Sequence, residues 1–180
     1  MARNDEKYRL FFALYPPQTT QSALAAFLHA NPASGKPVPT ANWHMTLLFM
    51  GVVDRPTCER LQAVQMPALP TVFSVTLNRC GWWLRSRVGY LAPEPPPKAL
   101  FRLHQVVYSA AQTSGLSVKC SPYHPHVTLL RRLSLPWKPF QTPSIDWPVT
   151  QVHLLRSFLS SHGPLYQSLA SWPLPLRKKN

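Results

Sequence analysis

The sequence predicts a mixed helix-and-strand fold in two pseudo-equivalent lobes, and three observations predict it. The tetrapeptide His-Met-Thr-Leu at 44–47 recurs as His-Val-Thr-Leu at 126–129, each copy inside an apolar run that reads as a β-strand. Each run is preceded by the same order of elements, a strand and then a helix. Finally, 180 residues that are 45% apolar and 11% aromatic can build one sizeable domain, or two small lobes with a continuous interface, but not two independent domains. Two such lobes would set the histidines facing each other across a cleft.

In chain order, Arg9 to Tyr15 (RLFFALY) is rich in β-formers and stops at Pro16-Pro17, so it reads as the first strand. Thr19 or Thr20 is placed to cap a helix running to about Ala30, with Ala23, Leu24, Phe27 and Leu28 spaced to bury one face. A loop over 31–40 leads to a strand from Trp43 to Met50, ended by Gly51. A short helix around Thr57 to Gln65 and a strand from Thr71 to Leu77 follow. In the second half, Arg87 to Ala92 reads as a strand and Pro93 to Pro97 as a turn. Ala99 to Ser114 then reads as a helix burying Leu100, Leu103, Val107 and Ala111. The second motif strand spans His126 to Leu130, and a later strand Thr150 to Leu155. The expectation is a single bilobal domain over 1–180, with halves of about 8–78 and 79–176 and no independent linker between them.

Composition narrows the function classes. Nineteen Lys and Arg against six Asp and Glu give a formal net charge of +13, a field that attracts polyanions, although a basic protein with no nucleic-acid role would carry it too. Cys58, Cys80 and Cys120 form no C-x-x-C pair and leave one unpaired under any bridging, which argues for a reducing compartment. The apolar run Leu10 to Tyr15 is too short for the core of a signal peptide, and no other stretch approaches membrane-spanning length. A cytoplasmic protein is the expectation.

Side chains alternate along a strand, so His44 shares a face with Thr46, and His126 with Thr128. Met45, Leu47 and Phe49, like Val127 and Leu129, are then expected in the core. One His-x-Thr on an apolar strand is ordinarily a half-buried surface pair. Two in matching contexts favour a two-part active site. Hydroxyls can hydrogen-bond phosphate oxygens while two imidazoles divide the work of general base and general acid. His124 and His126 form H-P-H, a conceivable metal pair, but all six carboxylates lie outside both motifs and no cysteine cluster exists. No metal or other cofactor is therefore expected. The same scarcity of carboxylates predicts that backbone carbonyls orient the two imidazoles. His29, His104, His153 and His162 occur singly and read as packing or surface residues.

Four stretches carry a resemblance: RLFFALYPP at 9–17, WHMTLLFMG at 43–51, HPHVTLLR at 124–131 and LLRSFLSSHGPLYQSLASWPL at 154–174. Spanning nearly the whole chain in order, they resemble the two-histidine phosphoesterases, specifically the bacterial RNA 2',3'-cyclic phosphodiesterases, historically called 2'-5' RNA ligases. The resemblance implies a bilobal α+β fold of antiparallel-dominated sheet flanked by helices, with both motifs in a central cleft. It implies hydrolysis of a 2',3'-cyclic phosphate on RNA to a 2'-phosphate and, in some members, reversible 2'-5' joining of tRNA halves, with neither activity requiring a metal. By resemblance His44 is the proton donor, His126 the proton acceptor, and Arg131 the phosphate-binding arginine. Thr46 and Thr128 would hold the non-bridging oxygens.

Strand parity points Arg132 rather than Arg131 toward His126, unless a bulge reverses it. Phe11 or Phe12 on the first strand, and Tyr123 before the second motif, are candidates to stack a terminal base, Phe12 and Tyr123 foremost, with at least one of the two phenylalanines expected in the core. The expected partner is RNA ending in a cyclic phosphate, tRNA halves included, bound by a monomer with no membrane association. Two other readings stay open: a non-catalytic RNA-binding protein on the same fold, and a phosphodiesterase acting on a small cyclic nucleotide.

Overall fold

The structure is a computed structural model in which residues 6–119, 121–161 and 163–177 are described. Asp5, Cys120, His162, Lys178 and Lys179 lie outside the described residues. The first half holds β1 (Tyr8–Leu14), α1 (Gln18–Ala30), β2 (Lys36–Pro37), β3 (Met45–Val53), α2 (Arg55–Ala63) and β4 (Phe73–Leu77). Then come β5 (Arg79–Trp83), β6 (Val88–Ala92), α3 (Lys98–Thr113), β7 (Val127–Arg131), β8 (Ile145–Val149), β9 (Gln151–Ser160) and β10 (Gly163–Pro173). Seven strands run in the order β10-β9-β1-β3-β7-β6-β5, with β2 added on β7, and β4 pairs with β8 in a separate two-stranded sheet. Every pairing is antiparallel, so the fold is α+β.

Local chemistry sets the helix starts. Pro17, not Thr19 or Thr20, occupies the cap position of α1, and the fixed φ of proline suits the entry to a helix. Thr20 is instead buried and donates its hydroxyl to the Asp146 carbonyl at 2.7 Å, tying α1 to β8. In α2 the Asp54 carboxylate accepts from the Thr57 amide with proline in the first turn, so this helix begins earlier than the apolar spacing alone predicts. Along α3, Leu100, Leu103, Val107 and Ala111 are fully buried, each large aliphatic side chain stabilising the fold by about 1.5–3 kcal/mol. Trp43, Trp147, Phe12 and Leu10 fill the largest buried positions. No described helix is long and apolar enough to cross a membrane.

The two halves of the chain, 8–78 and 79–176, are not two halves of the sheet. β9 and β10 from the second half extend the sheet beyond β1, and β4 from the first half pairs with β8 from the second. The seam between the motif strands is narrow: β3 and β7 are registered at Met45 and Val127, and diverge on either side. Their freed backbone groups find other partners. The Leu47 carbonyl accepts from His104 Nδ1 at 2.8 Å, and the Leu129 carbonyl accepts from the Val38 amide at 2.8 Å as β2 runs along β7. This divergence opens a cleft directly over the two motifs.

Candidate active site

At the seam the antiparallel register places His44 across from Thr128, and Thr46 across from His126. Each imidazole therefore neighbours the hydroxyl of the other motif. Both strands then bulge at the same point. On β3, Thr46 faces Ala13 and Leu48 faces Phe12, leaving Leu47 without a partner; on β7, Thr128 faces Tyr90 and Leu130 faces Gly89, leaving Leu129 without one. A bulge inverts parity beyond it. Leu47 and Leu48 are consequently both buried, as are Leu129 and Leu130. The side chains that follow, Phe49 and Arg131, return to the threonine face.

This geometry bears on two expectations. Phe49 is not core: it is 48% exposed and lines the cleft. Arg131, not Arg132, reaches the cavity shared by His44, Thr46, His126 and Thr128, which encloses about 420 Å³. Arg9 and Tyr166 close its other side, with the Arg9 guanidinium 5.0 Å over the Phe49 ring in a cation–π contact.

The two imidazoles are held alike. His44 Nδ1 lies 2.7 Å from the Asn42 carbonyl oxygen and His126 Nδ1 lies 2.7 Å from that of His124. A carbonyl only accepts, so Nδ1 carries the hydrogen and donates it, leaving Nε2 of each ring as the nitrogen able to take up or give a proton. These are the backbone anchors expected from the scarcity of carboxylates. Burial pushes His44 from 6.5 down to about 4; the Asn42 carbonyl opposes that shift, while the charges of His126 and Arg131 add to it. His126 is lowered in the same way, by burial first and then by the charges of His124 and Arg131.

Each histidine also packs against a pair of touching aromatic rings. Phe11 and Tyr166 lie 5.2 and 5.0 Å from His44, and Trp83 and Tyr90 lie 4.5 and 5.6 Å from His126. Trp83 and Tyr90 stack on each other at 4.1 Å, and the Tyr90 ring covers Gly81, its cross-strand partner. A Cβ at 81 would fall on that ring. These rings supply the low-dielectric walls that depress both histidines.

The two aromatic candidates do not reach this cavity. Phe12 is fully buried against Trp172; alternation gives the cleft to Phe11 instead. Tyr123 stacks on His104 at 4.4 Å with its hydroxyl buried, and lines a neighbouring groove on the far side of His126. His104 is thereby accounted for as a packing residue. Arg9, Tyr166, Trp83 and Tyr90 went unread in the sequence. Arg9 was recoverable, since it stands two residues from Phe11 on the same strand face.

Charge in the cleft is uncompensated. All five described carboxylates are engaged elsewhere: Glu6 with Arg156, Glu59 with Arg55, Glu94 with Arg79, Asp54 as a helix cap and Asp146 with Thr76. Among the described residues no three His, Cys, Asp or Glu side chains gather at one point. The site can therefore grip an anion with Arg131 and two hydroxyls while presenting one Nε2 from each side.

The chain is similar to known proteins over most of its length. The family model of the 2'-5' RNA ligase superfamily matches residues 17–157. An Escherichia coli protein named RNA 2',3'-cyclic phosphodiesterase is 34% identical over 94% of this chain and 98% of its own length. A Thermus thermophilus protein of the same name is 30% identical over 92% of this chain and 90% of its own. The crystal structure of apo E. coli LigT superposes with a TM-score of 0.83 at 31% identity, covering 95% of this chain and 99% of that one. LigT complexed with 3'-AMP gives 0.80 at 31% identity, over 94% of this chain and 99% of its own.

Proposed function

The chain belongs to the 2'-5' RNA ligase superfamily, and from that premise we propose that it hydrolyses the 2',3'-cyclic phosphate at the end of an RNA, leaving a 2'-phosphate. The observation that carries this reading is the pair of imidazoles, each anchored through Nδ1 to a backbone carbonyl, facing one cavity that also holds Thr46, Thr128 and Arg131. Relatives named for the same activity support it.

In this reading the cyclic phosphate lies between the rings. Thr46 and Thr128 donate to its non-bridging oxygens and Arg131 stabilises the charge that grows on them. His126 Nε2 takes a proton from water as the water oxygen bonds to phosphorus. The bond to the 3' oxygen breaks, and His44 Nε2 delivers a proton to that oxygen. The same sequence, with a 5' hydroxyl in place of water attacking the cyclic phosphate as its 3' oxygen departs, joins two tRNA halves through a 2'-5' linkage with no nucleotide cofactor, and attack of that 3' hydroxyl with departure of the 5' oxygen undoes it. One chain supplies both motifs, so a monomer suffices. Cys58 and Cys80 are free thiols, in keeping with a cytoplasmic setting.

The test is incubation of chelator-treated protein with a short RNA ending in a 2',3'-cyclic phosphate, resolving 2'- from 3'-phosphate products. A 2'-phosphate is expected. RNA binding without product would favour a binding protein, and product from a cyclic mononucleotide alone would favour the small-substrate reading.

Gly81→Ala is a separate expectation of the same account. The new methyl displaces Tyr90, and with it the stacked Trp83, from His126. Misplacing a reacting group by about an ångström costs up to roughly 100-fold, so kcat should fall by about 10- to 100-fold while KM changes little. Steady-state kinetics on a variant with an unaltered circular-dichroism spectrum checks this.

A further inference from the structure

Beside the catalytic cavity lies a smaller pocket that none of these steps uses. Lys36, Arg131 and Arg132 form its basic wall, and it opens onto the catalytic cavity through His44, Thr128 and Tyr166, which line both. Its construction works against several local preferences. Lys36 is registered directly against Arg131, and like charges opposed across an antiparallel pair destabilise it. The chain can run this close only because residue 35 is glycine, since a Cβ there would stand 2.8 Å from the Arg131 carbonyl oxygen.

Arg132 has a φ of 56°, in the left-handed region that favours glycine. It is held there by Arg87, itself at a φ of 54°. The Arg87 guanidinium donates to the Leu133 carbonyl at 2.7 Å and to the Arg132 carbonyl at 3.4 Å, while the Leu133 amide donates to the Arg87 carbonyl at 3.1 Å. Two arginines in an unfavourable conformation thus lock together and set Arg132 next to Arg131. No described carboxylate lines the pocket. Three basic residues lining one pocket with no described carboxylate among them, on backbone that resists bringing them together, fit a bound anion.

We propose that this pocket binds the phosphodiester on the 5' side of the terminal nucleoside, so that the protein distinguishes an RNA chain from a cyclic mononucleotide; the inference rests on the hydrolase reading above. An RNA end carries two phosphates separated by one nucleoside, the terminal cyclic one and the diester before it. With the first between the histidines, the second has this adjoining basic pocket beside it. A nucleoside 2',3'-cyclic phosphate with a free 5' hydroxyl lacks that second anion and gains nothing from Lys36 or Arg132.

The test compares adenosine 2',3'-cyclic phosphate with the dinucleotide ApA ending in the same group, using wild type and the double variant Lys36→Gln, Arg132→Asn. Asparagine tolerates the left-handed backbone, so the loop geometry is kept. Wild type should show kcat/KM about tenfold or more higher on the dinucleotide, falling steeply with salt, and the variant should lose that advantage and part of the salt slope. Turnover of the mononucleotide should be unchanged. Equal loss on both substrates, or no loss on either, overturns the proposal while leaving hydrolysis intact. Failure of wild type to turn over either substrate overturns the hydrolase reading and this one with it, and is told apart by the wild-type control.

Discussion

His44→Ala and His126→Ala are each expected to lower kcat on a cyclic-phosphate RNA by at least about 100-fold, the contribution typical of a positioned acid or base, while affinity for the RNA stays within a few-fold. The expectation follows from the anchors. Nδ1 of each ring is already committed to a carbonyl at 2.7 Å, so Nε2 is the proton-exchanging atom on either side, and no described carboxylate lines the cavity to replace it. In the proposed reading the grip on phosphate resides in Thr46, Thr128 and Arg131, which both variants retain. Because the two rings act on one phosphorus, the double variant should be little worse than the poorer single one. Single-turnover rates alongside equilibrium binding check this; an unchanged rate in either variant contradicts the role given to that histidine.

The pH dependence of kcat/KM is expected to be a bell whose two limbs both lie below pH 6.5, with the kcat bell displaced upward. The sign follows from burial. Removing water penalises the imidazolium, so in the free protein His44 protonates only near 4 and His126 also below its ordinary value. The productive form has one ring protonated and one neutral. Below both limbs the base is lost, above both the acid is lost, and kcat/KM, which reports the free protein, peaks between them. A bound cyclic phosphate places an anion between the rings and restores part of the stability of the imidazolium, which raises both limbs in kcat. The limbs belong to the pair, not to single residues. Rate measurements from about pH 4 to 9 decide it; a kcat/KM optimum on the alkaline side of neutrality contradicts the buried geometry.

The parts of the site legible in the sequence are those that obey strand periodicity up to the bulge. His44 with Thr46, and His126 with Thr128, follow the two-residue period and stand where it predicts. Beyond Thr46 and Thr128 each strand carries an extra residue, and neither bulge is marked by a glycine or proline. Leu-Leu in both copies is the trace it leaves: two consecutive buried residues in a strand that otherwise alternates. Phe49 was misplaced for that reason, and parity alone favoured Arg132 over Arg131.

In the fold, α1, α3, β1, β3 and β7 were visible as apolar runs between prolines and glycines. β5 was hidden by its glycine and its arginine, β8 by Pro148, and β10 by a half-exposed pattern with no apolar run. β2 is two residues long and exists through its pairing with β7, a tertiary cause that no local pattern records. Two of the four aromatic wall residues came from these unread strands, Trp83 from β5 and Tyr166 from β10.

The division of labour between the two imidazoles is tested most directly by changing the leaving atom. A substrate whose 3' bridging oxygen is replaced by sulfur expels a thiolate, which needs no proton from an acid. On that substrate His44→Ala should recover most of the wild-type rate while His126→Ala remains inactive, because water still has to be deprotonated. Recovery in neither variant, or in both equally, would contradict the account of one acid and one base acting on a single phosphorus.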